Sequence, residues 1–335
     1  MNGSEVAPSS SLEKSAASEQ KSAWKASAIP ADFLFRSLTA FVAFLVALSL
    51  LGILVSLVIE GWSALQTFGW KFLITTTWDP VSNVYGALVF IVGTLASSTI
   101  AMIIAVPVSF GIAIFISELS PGWLRGPISA VIELLAAIPS IIYGMWGLLV
   151  FAPWFGQIEP WINDHLGAIP GIGVLFQGPP MGIGMLTAGI VLAIMIIPFI
   201  ASVMRDVFMI TPASLKESAY ALGATTWEVA RHVILPFTRT AVTGGIFLGL
   251  GRALGETMAV TFIIGNANNL SASLLMPGAS IASVIANEFT EATTQLYKSS
   301  LLALGLILFV ITFIVLVLAK LLLLRLEYNM KGKKS

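Results

Sequence analysis

An arginine and a glutamate stand four residues apart in GRALGETMAV, Gly251 to Val260, inside an apolar run with IFLGL before it and TFIIG after it. A charge at the centre of a membrane helix costs on the order of 2.5–3.5 kcal/mol on insertion scales, so two such charges do not persist against lipid. On one helix, Arg252 and Glu256 would share a face and partly neutralise each other. That face is expected to turn inward, where Gly249, Gly251 and Gly255 let another backbone approach or leave room for water or solute. Two readings stay open. The pair either locks its helix to its neighbours or marks a charged point on a translocation path. A guanidinium suits an oxyanion, because its planar fork meets two oxygens at once. Glu256 would compete for that fork and so weaken the hold on the anion. Thr257 offers a hydroxyl beside them unless it bonds its own i−4 carbonyl.

Glu133, in VIELLAAIPSIIYG, is the other carboxylate in an apolar run. An interfacial position or a bond to a neighbouring helix suits it, and Tyr143 either lines a cavity or packs, so these two form a second pathway candidate. Pro139 and Ser140 are expected to kink their helix. Other chemistries find little support. There is no cysteine, hence no thiolate or sulfur-ligated metal, and the two histidines, His165 and His232, are too far apart in sequence to suggest a metal centre. The chain has no G-x4-G-K-[ST] phosphate loop, so nucleotide binding of the usual kind would fall to another subunit.

The elements that must hold these charges are membrane helices. The sequence is 57% hydrophobic and 10% charged over 335 residues. Runs of about 18 or more apolar residues cross a bilayer as helices. Spans are expected at about residues 38–59, 86–119, 128–151, 183–204, 240–265 and 300–324, with Pro107 kinking the long second one, which describes an all-α membrane protein of six transmembrane helices. Residues 1–33 read as a disordered tail and 34–85 as the first span with its outer loop. Residues 86–325 then hold the main body, ahead of a basic C-terminus over 326–335. With the N-terminus inside, fourteen of the seventeen Lys and Arg residues fall on the inner side, only Lys71 and Lys298 fall outside, and Arg252 lies in the fifth span. The positive-inside rule then places both termini in the cytoplasm. Outside, Trp154, Trp161, Asp164 and the segment Ile285 to Ala292 are candidates for contact with a partner, although such Trp residues are more often interface anchors.

The inner segment 205–238 is longer than a connection needs and carries helix signals. Thr211 with Pro212 predicts a helix start, and Gly223 a left-handed stop. Thr225 and Glu228 predict a capping box for a second helix that Pro236 would end. Helix, glycine, helix could be taken for a DNA-binding motif, but Lys216, Arg231 and Arg239 are balanced by Asp206, Glu217 and Glu228, and nucleic acid is not expected as a partner. The segment is either a connecting loop or a docking surface for a cytoplasmic partner, and its capping favours docking.

Glu217-Ser218-Ala219, Gly223 and then Val233-Ile234-Leu235-Pro236 resemble the EAA motif of the membrane subunits of ABC importers, with Ser218 and Val233 as mild departures. ELLAAIPSIIYG and GRALGETMAV resemble the phosphate-type permeases. The resemblance implies a type I importer core of five spans preceded by one N-terminal span, in a bacterial cytoplasmic membrane. It implies that Glu217, Ser218, Ala219, Gly223, Leu235 and Pro236 serve coupling to an ATPase. The partners so implied are a related membrane permease subunit, an ATPase subunit dimer that binds ATP and Mg, a periplasmic or extracellular phosphate-binding protein and membrane lipid, with no cofactor in this chain. The alternatives are a permease for another oxyanion, or a passive anion channel or ion-coupled carrier. A membrane-embedded enzyme is disfavoured, since no compact acid–base constellation is present.

Overall fold

The computed structural model describes the backbone of residues 10–331 and the side chains of residues 33–325. Its helices, in chain order, are α1 (Ser10–Phe68), α2 (Lys71–Ile74), α3 (Leu88–Ile114), α4 (Gly122–Ala137), α5 (Ser140–Trp146), α6 (Ala152–Leu166) and α7 (Met185–Met209). They continue with α8 (Ala213–Ala221), α9 (Thr226–Val229), α10 (Leu235–Leu254), α11 (Met258–Thr261), α12 (Ile281–Glu288) and α13 (Gln295–Lys331). Among the described residues the only extended pairings are isolated bridges, Asp79 with Val84 and Gly265 with Gly278. Six stretches of the described residues are long and apolar enough to cross a membrane: Phe33–Phe68, Leu88–Leu119, Ser140–Leu166, Met185–Met209, Thr226–Leu254 and Gln295–Arg325. The protein is an all-α, multi-pass membrane protein.

The chain divides into two units after Ser56. In the first, every side chain of residues 33–53 is exposed and most are apolar, the pattern of a helix that meets hydrocarbon on all sides. In the second, α7 is the central element, since its side chains are the most buried of any span. It receives α3, where the Ser109 hydroxyl donates to the Ile197 carbonyl at 3.0 Å. It also receives α10, whose Gly249 faces Ile200 so closely that an added Cβ would stand 2.6 Å from Cδ1. Small residues at such crossings let helices pack closely where lipid supplies no hydrophobic drive.

Three turns of the π type, Phe115–Leu119, Gly147–Phe151 and Ala230–Ile234, close α3, join α5 to α6, and join α9 to α10. A proline follows each at the second residue beyond: Pro121, Pro153 and Pro236. In a regular helix a proline ring clashes with the carbonyl four residues back and leaves it without its N–H partner. A widened turn, with Leu235 N–H bonded to the Ala230 carbonyl, carries the chain past that clash. At Pro121 the helix ends instead.

Several expectations need correction. The expected tail is helical in its backbone from Ser10, in line with its Ala, Glu, Lys and Leu content, while residues 1–9 lie outside the described residues. Residues 332–335 of the expected basic C-terminus also lie outside them. The third span is not one helix over 128–151. Ile138 and Pro139 are extended, as the residue before a proline prefers, so α4 stops at Ala137 and α5 starts at Ser140. The loop expected from residue 152 is instead the helix α6, with Pro153 in its tolerant first turn. Thr211 does not cap α8; Pro212 occupies that position, and the Thr211 hydroxyl is buried without a partner. Pro236 does not end the second helix of the inner segment, because the π-turn lets α9 run into α10. The expected stop at Gly223 is present, at φ +85°, and so is the Thr225–Glu228 capping box.

Candidate functional site

Arg252 and Glu256 do not share a helical face. The α10 helix ends at Leu254, Gly255 leaves helical geometry at φ −92° and ψ 1°, and the short α11 begins only at Met258. No ion pair joins Arg252 to Glu256 among the described residues. Instead the Arg252 guanidinium lies over the Phe199 ring, 5.4 Å from its centroid. Phe199 is fourteen residues into α7 and ten from its end, which puts the guanidinium about 15–20 Å from either end of that span, near mid-membrane depth. Glu256 has a contact of its own. Its Oε1 accepts the Ala259 N–H at 3.4 Å, a weak cap on α11. The Thr257 hydroxyl donates to the Gly255 carbonyl at 3.4 Å and not to its i−4 carbonyl, because the helix ends at Leu254, three residues before it. Of the three glycines, Gly249 is closely packed by α7 side chains, whereas a Cβ at Gly251 or Gly255 would meet only ordinary van der Waals neighbours, at 3.9 and 3.6 Å.

The break at Ile138–Pro139 faces this helix end. Gly144 of α5 packs on Met258, Ala259 and Phe262, and only a glycine fits, since a Cβ would meet Phe262 at 2.9 Å. Tyr143 spends its hydroxyl across the break, donating to the Leu135 carbonyl of α4 at 2.9 Å. That carbonyl, in the last turn of α4, also accepts the Ile138 N–H at 3.3 Å. Tyr143 therefore ties the two halves of the broken span together. Two interrupted helices thus meet where α5 packs on α11, just past the helix end that carries Arg252.

Glu133 and Tyr143 have separate roles. Glu133 accepts from Arg205 Nη2 at 2.9 Å, the bond to a neighbouring helix that was one of its two expected readings. Arg205 is buried near the C-terminal end of α7 and is also bonded to Asp206 at 2.6 Å, while its Nη1 has no partner. A second ion pair joins Lys216 of α8 to Glu118 in the π-turn after α3, at 2.6 Å. Sequence reasoning missed both. A signal for Arg205 exists, because Ala201, Met204 and Phe208 place it on a buried helical face. The Lys216–Glu118 contact, 98 residues apart, has none.

The residues of the EAA-like motif run along α8, the turn after it and the start of α10. Glu217 and Ser218 are exposed, with the Ser218 hydroxyl turned back onto the Ser214 carbonyl at 2.7 Å. Ala219 packs against the core, Leu222 is 89% exposed, and Gly223 forms the left-handed turn. Leu235 and Pro236 lie in the first turn of α10, so one continuous rod carries the motif's end to Arg252, about 25 Å along the axis. Glu288 accepts from Trp78 Nε1 and from the Tyr297 hydroxyl, both at 2.7 Å. Trp154 and Trp161 are exposed, and Trp161 stacks on His165.

Residues 105–328 match the family model described as binding-protein-dependent transport system inner membrane component. The phosphate transport system permease protein PstC of Haemophilus influenzae is 60% identical over 303 residues, covering 90% of this chain and 96% of its own. That of Mesorhizobium japonicum is 54% identical over 297 residues, 88% of this chain and 91% of its own. Among solved structures, an inward-facing form of the MetNI methionine ABC transporter has a TM-score of 0.48 at 15% identity, covering 75% of this chain and 97% of that one. With a family model matching over most of its length and relatives this similar along nearly all of it, the chain belongs to the PstC family of phosphate transport system permease proteins.

Proposed function

We propose that this chain is the membrane permease subunit of an ATP-driven importer for inorganic phosphate, seated in a bacterial cytoplasmic membrane with both termini cytoplasmic. The observation that carries this reading is the mid-membrane guanidinium of Arg252, held by an aromatic face and not by a carboxylate. Its fork is then available to two oxygens of a desolvated anion. Glu256 and Thr257, at the adjoining helix end, border the same path. Glu256 adds a negative charge that keeps the hold on an anion weak enough for release, although the two side chains are not paired. Tyr143 borders it from the other broken span, while Glu133 belongs to the inner ion-pair cluster and not to the path.

Hydrolysis is assigned to a partner. ATP and Mg belong to an ATPase subunit dimer, which docks on the exposed face of α8 with Glu217, Ser218 and the turn at Gly223, while Ala219 packs behind that face and seats the helix. The continuous rod from Leu235 and Pro236 to Arg252 gives that docking a route into the membrane. A related permease subunit completes the pathway, and a phosphate-binding protein delivers the substrate to the outer loops. Vesicles carrying the assembled complex test this. Wild type is expected to take up labelled phosphate only with ATP, and an assembled Arg252→Gln complex to lose that uptake by roughly tenfold or more. Full uptake by the variant would remove Arg252 from the path, and uptake of sulfate in place of phosphate would limit the reading to an importer of another oxyanion.

A further inference from the structure

The α8 helix is an unusual carrier of force, because none of its side chains is buried. Gly223 at one end, in a conformation glycine favours, and Pro212 at the other leave it as a short segment between two turns. Besides the packing of Ala219, its tie to a span is Lys216, whose ammonium meets Glu118 at 2.6 Å, with only 17% and 6% of the two side chains exposed. Glu118 does not sit on a regular helix. It belongs to the π-turn Phe115–Leu119, where the hydrogen-bond register is already shifted.

The same turn is held from a second side. Arg125 of α4 donates from Nη2 to the Ser117 carbonyl at 2.9 Å. From there α4 runs to the break at Pro139, where its Leu135 carbonyl receives the Tyr143 hydroxyl, and the next residue, Gly144, packs on α11 just past Arg252 at the end of α10. A polar contact thus stands at each joint between the exposed helix and the mid-membrane cation: Lys216 to Glu118, Ser117 to Arg125, and Leu135 to Tyr143.

We propose that the Lys216–Glu118 ion pair is the joint through which displacement of α8 enters the α3–α4 turn, and that α4 carries it to the break beside Arg252. Lys216 and Glu118 are positioning residues: they touch neither phosphate nor nucleotide. The inference rests on the reading of α8 as the ATPase docking helix.

The test uses the full complex in vesicles and reads phosphate uptake per ATP hydrolysed, with co-purification of the ATPase as the assembly check. Glu118→Gln and Lys216→Met are each expected to lower that ratio by roughly tenfold while hydrolysis continues. Lys216→Arg should keep the ratio, and the exchange Glu118→Lys with Lys216→Glu should recover most of it. A neutral variant with the wild-type ratio would overturn the proposal, as would an exchanged pair no better than the single changes. Loss of the ATPase from neutral variants would overturn it too, since the pair would then be a folding contact. If wild type hydrolyses ATP without moving phosphate, the substrate reading fails by itself. The joint is then judged on whether the binding protein still stimulates hydrolysis in wild type and not in Glu118→Gln.

Discussion

A guanidinium over an aromatic face keeps its hydrogen-bond donors, whereas one locked to a carboxylate has spent two of them. This difference makes Arg252→Lys informative. An ammonium keeps the charge and loses the fork, so uptake should fall by several fold, about 1 kcal/mol, with less damage than Arg252→Gln causes. Glu256→Gln separates charge from shape. The amide oxygen can still cap Ala259, while the lost negative charge should slow phosphate release in a single-turnover measurement by roughly 3- to 10-fold. An unchanged release rate would leave Glu256 with its cap alone. The chemistry of GRALGET was legible in the sequence, because charges in an apolar run are conspicuous. Their geometry was not. A spacing of four fits a helical ion pair, and a single glycine costs a helix only about 1 kcal/mol, too little to announce the break after Leu254.

Breaks and close approaches decide how the helices work. The close face of Gly249 on Ile200 makes Gly249→Leu an overpacking change, expected to cost about 1–3 kcal/mol and to lower the melting temperature of the purified complex in detergent. Gly251→Ala, whose nearest neighbour is Leu316 at 3.9 Å, should leave it nearly unchanged. Local signals served where one residue type forces the backbone. Pro139 announced the break in the third span, Gly223 the left-handed turn, and Thr225 with Glu228 the capping box. They failed where the surroundings absorb a signal, as at Pro236, whose ring is accommodated by a wider turn and so stops nothing.

The six spans were legible because a bilayer imposes length and hydropathy on any chain that crosses it. The ties between distant segments were not, since no local pattern records them. Glu288 illustrates this: it joins Trp78, 210 residues away, to Tyr297 and so fastens the loop before α3 to α12 and α13. Glu288→Ala removes both bonds and leaves the indole and phenol donors unmatched in a part-buried site. It should cost about 1–3 kcal/mol and raise proteolysis of the loop around Trp78. The three π-turns bear on the molecule in another way. Each of the two that join helices is an insertion absorbed without turning the faces on either side, so each is a place where the chain tolerates a change of length. Deleting Val233 together with Pro236→Ala should restore a regular helix and leave Arg252 over Phe199. Deleting one residue from the plain part of α10 between Thr240 and Gly249 should instead rotate the helix end by about 100° and carry the guanidinium off the ring. Length variation among the relatives' spans should therefore concentrate at these turns.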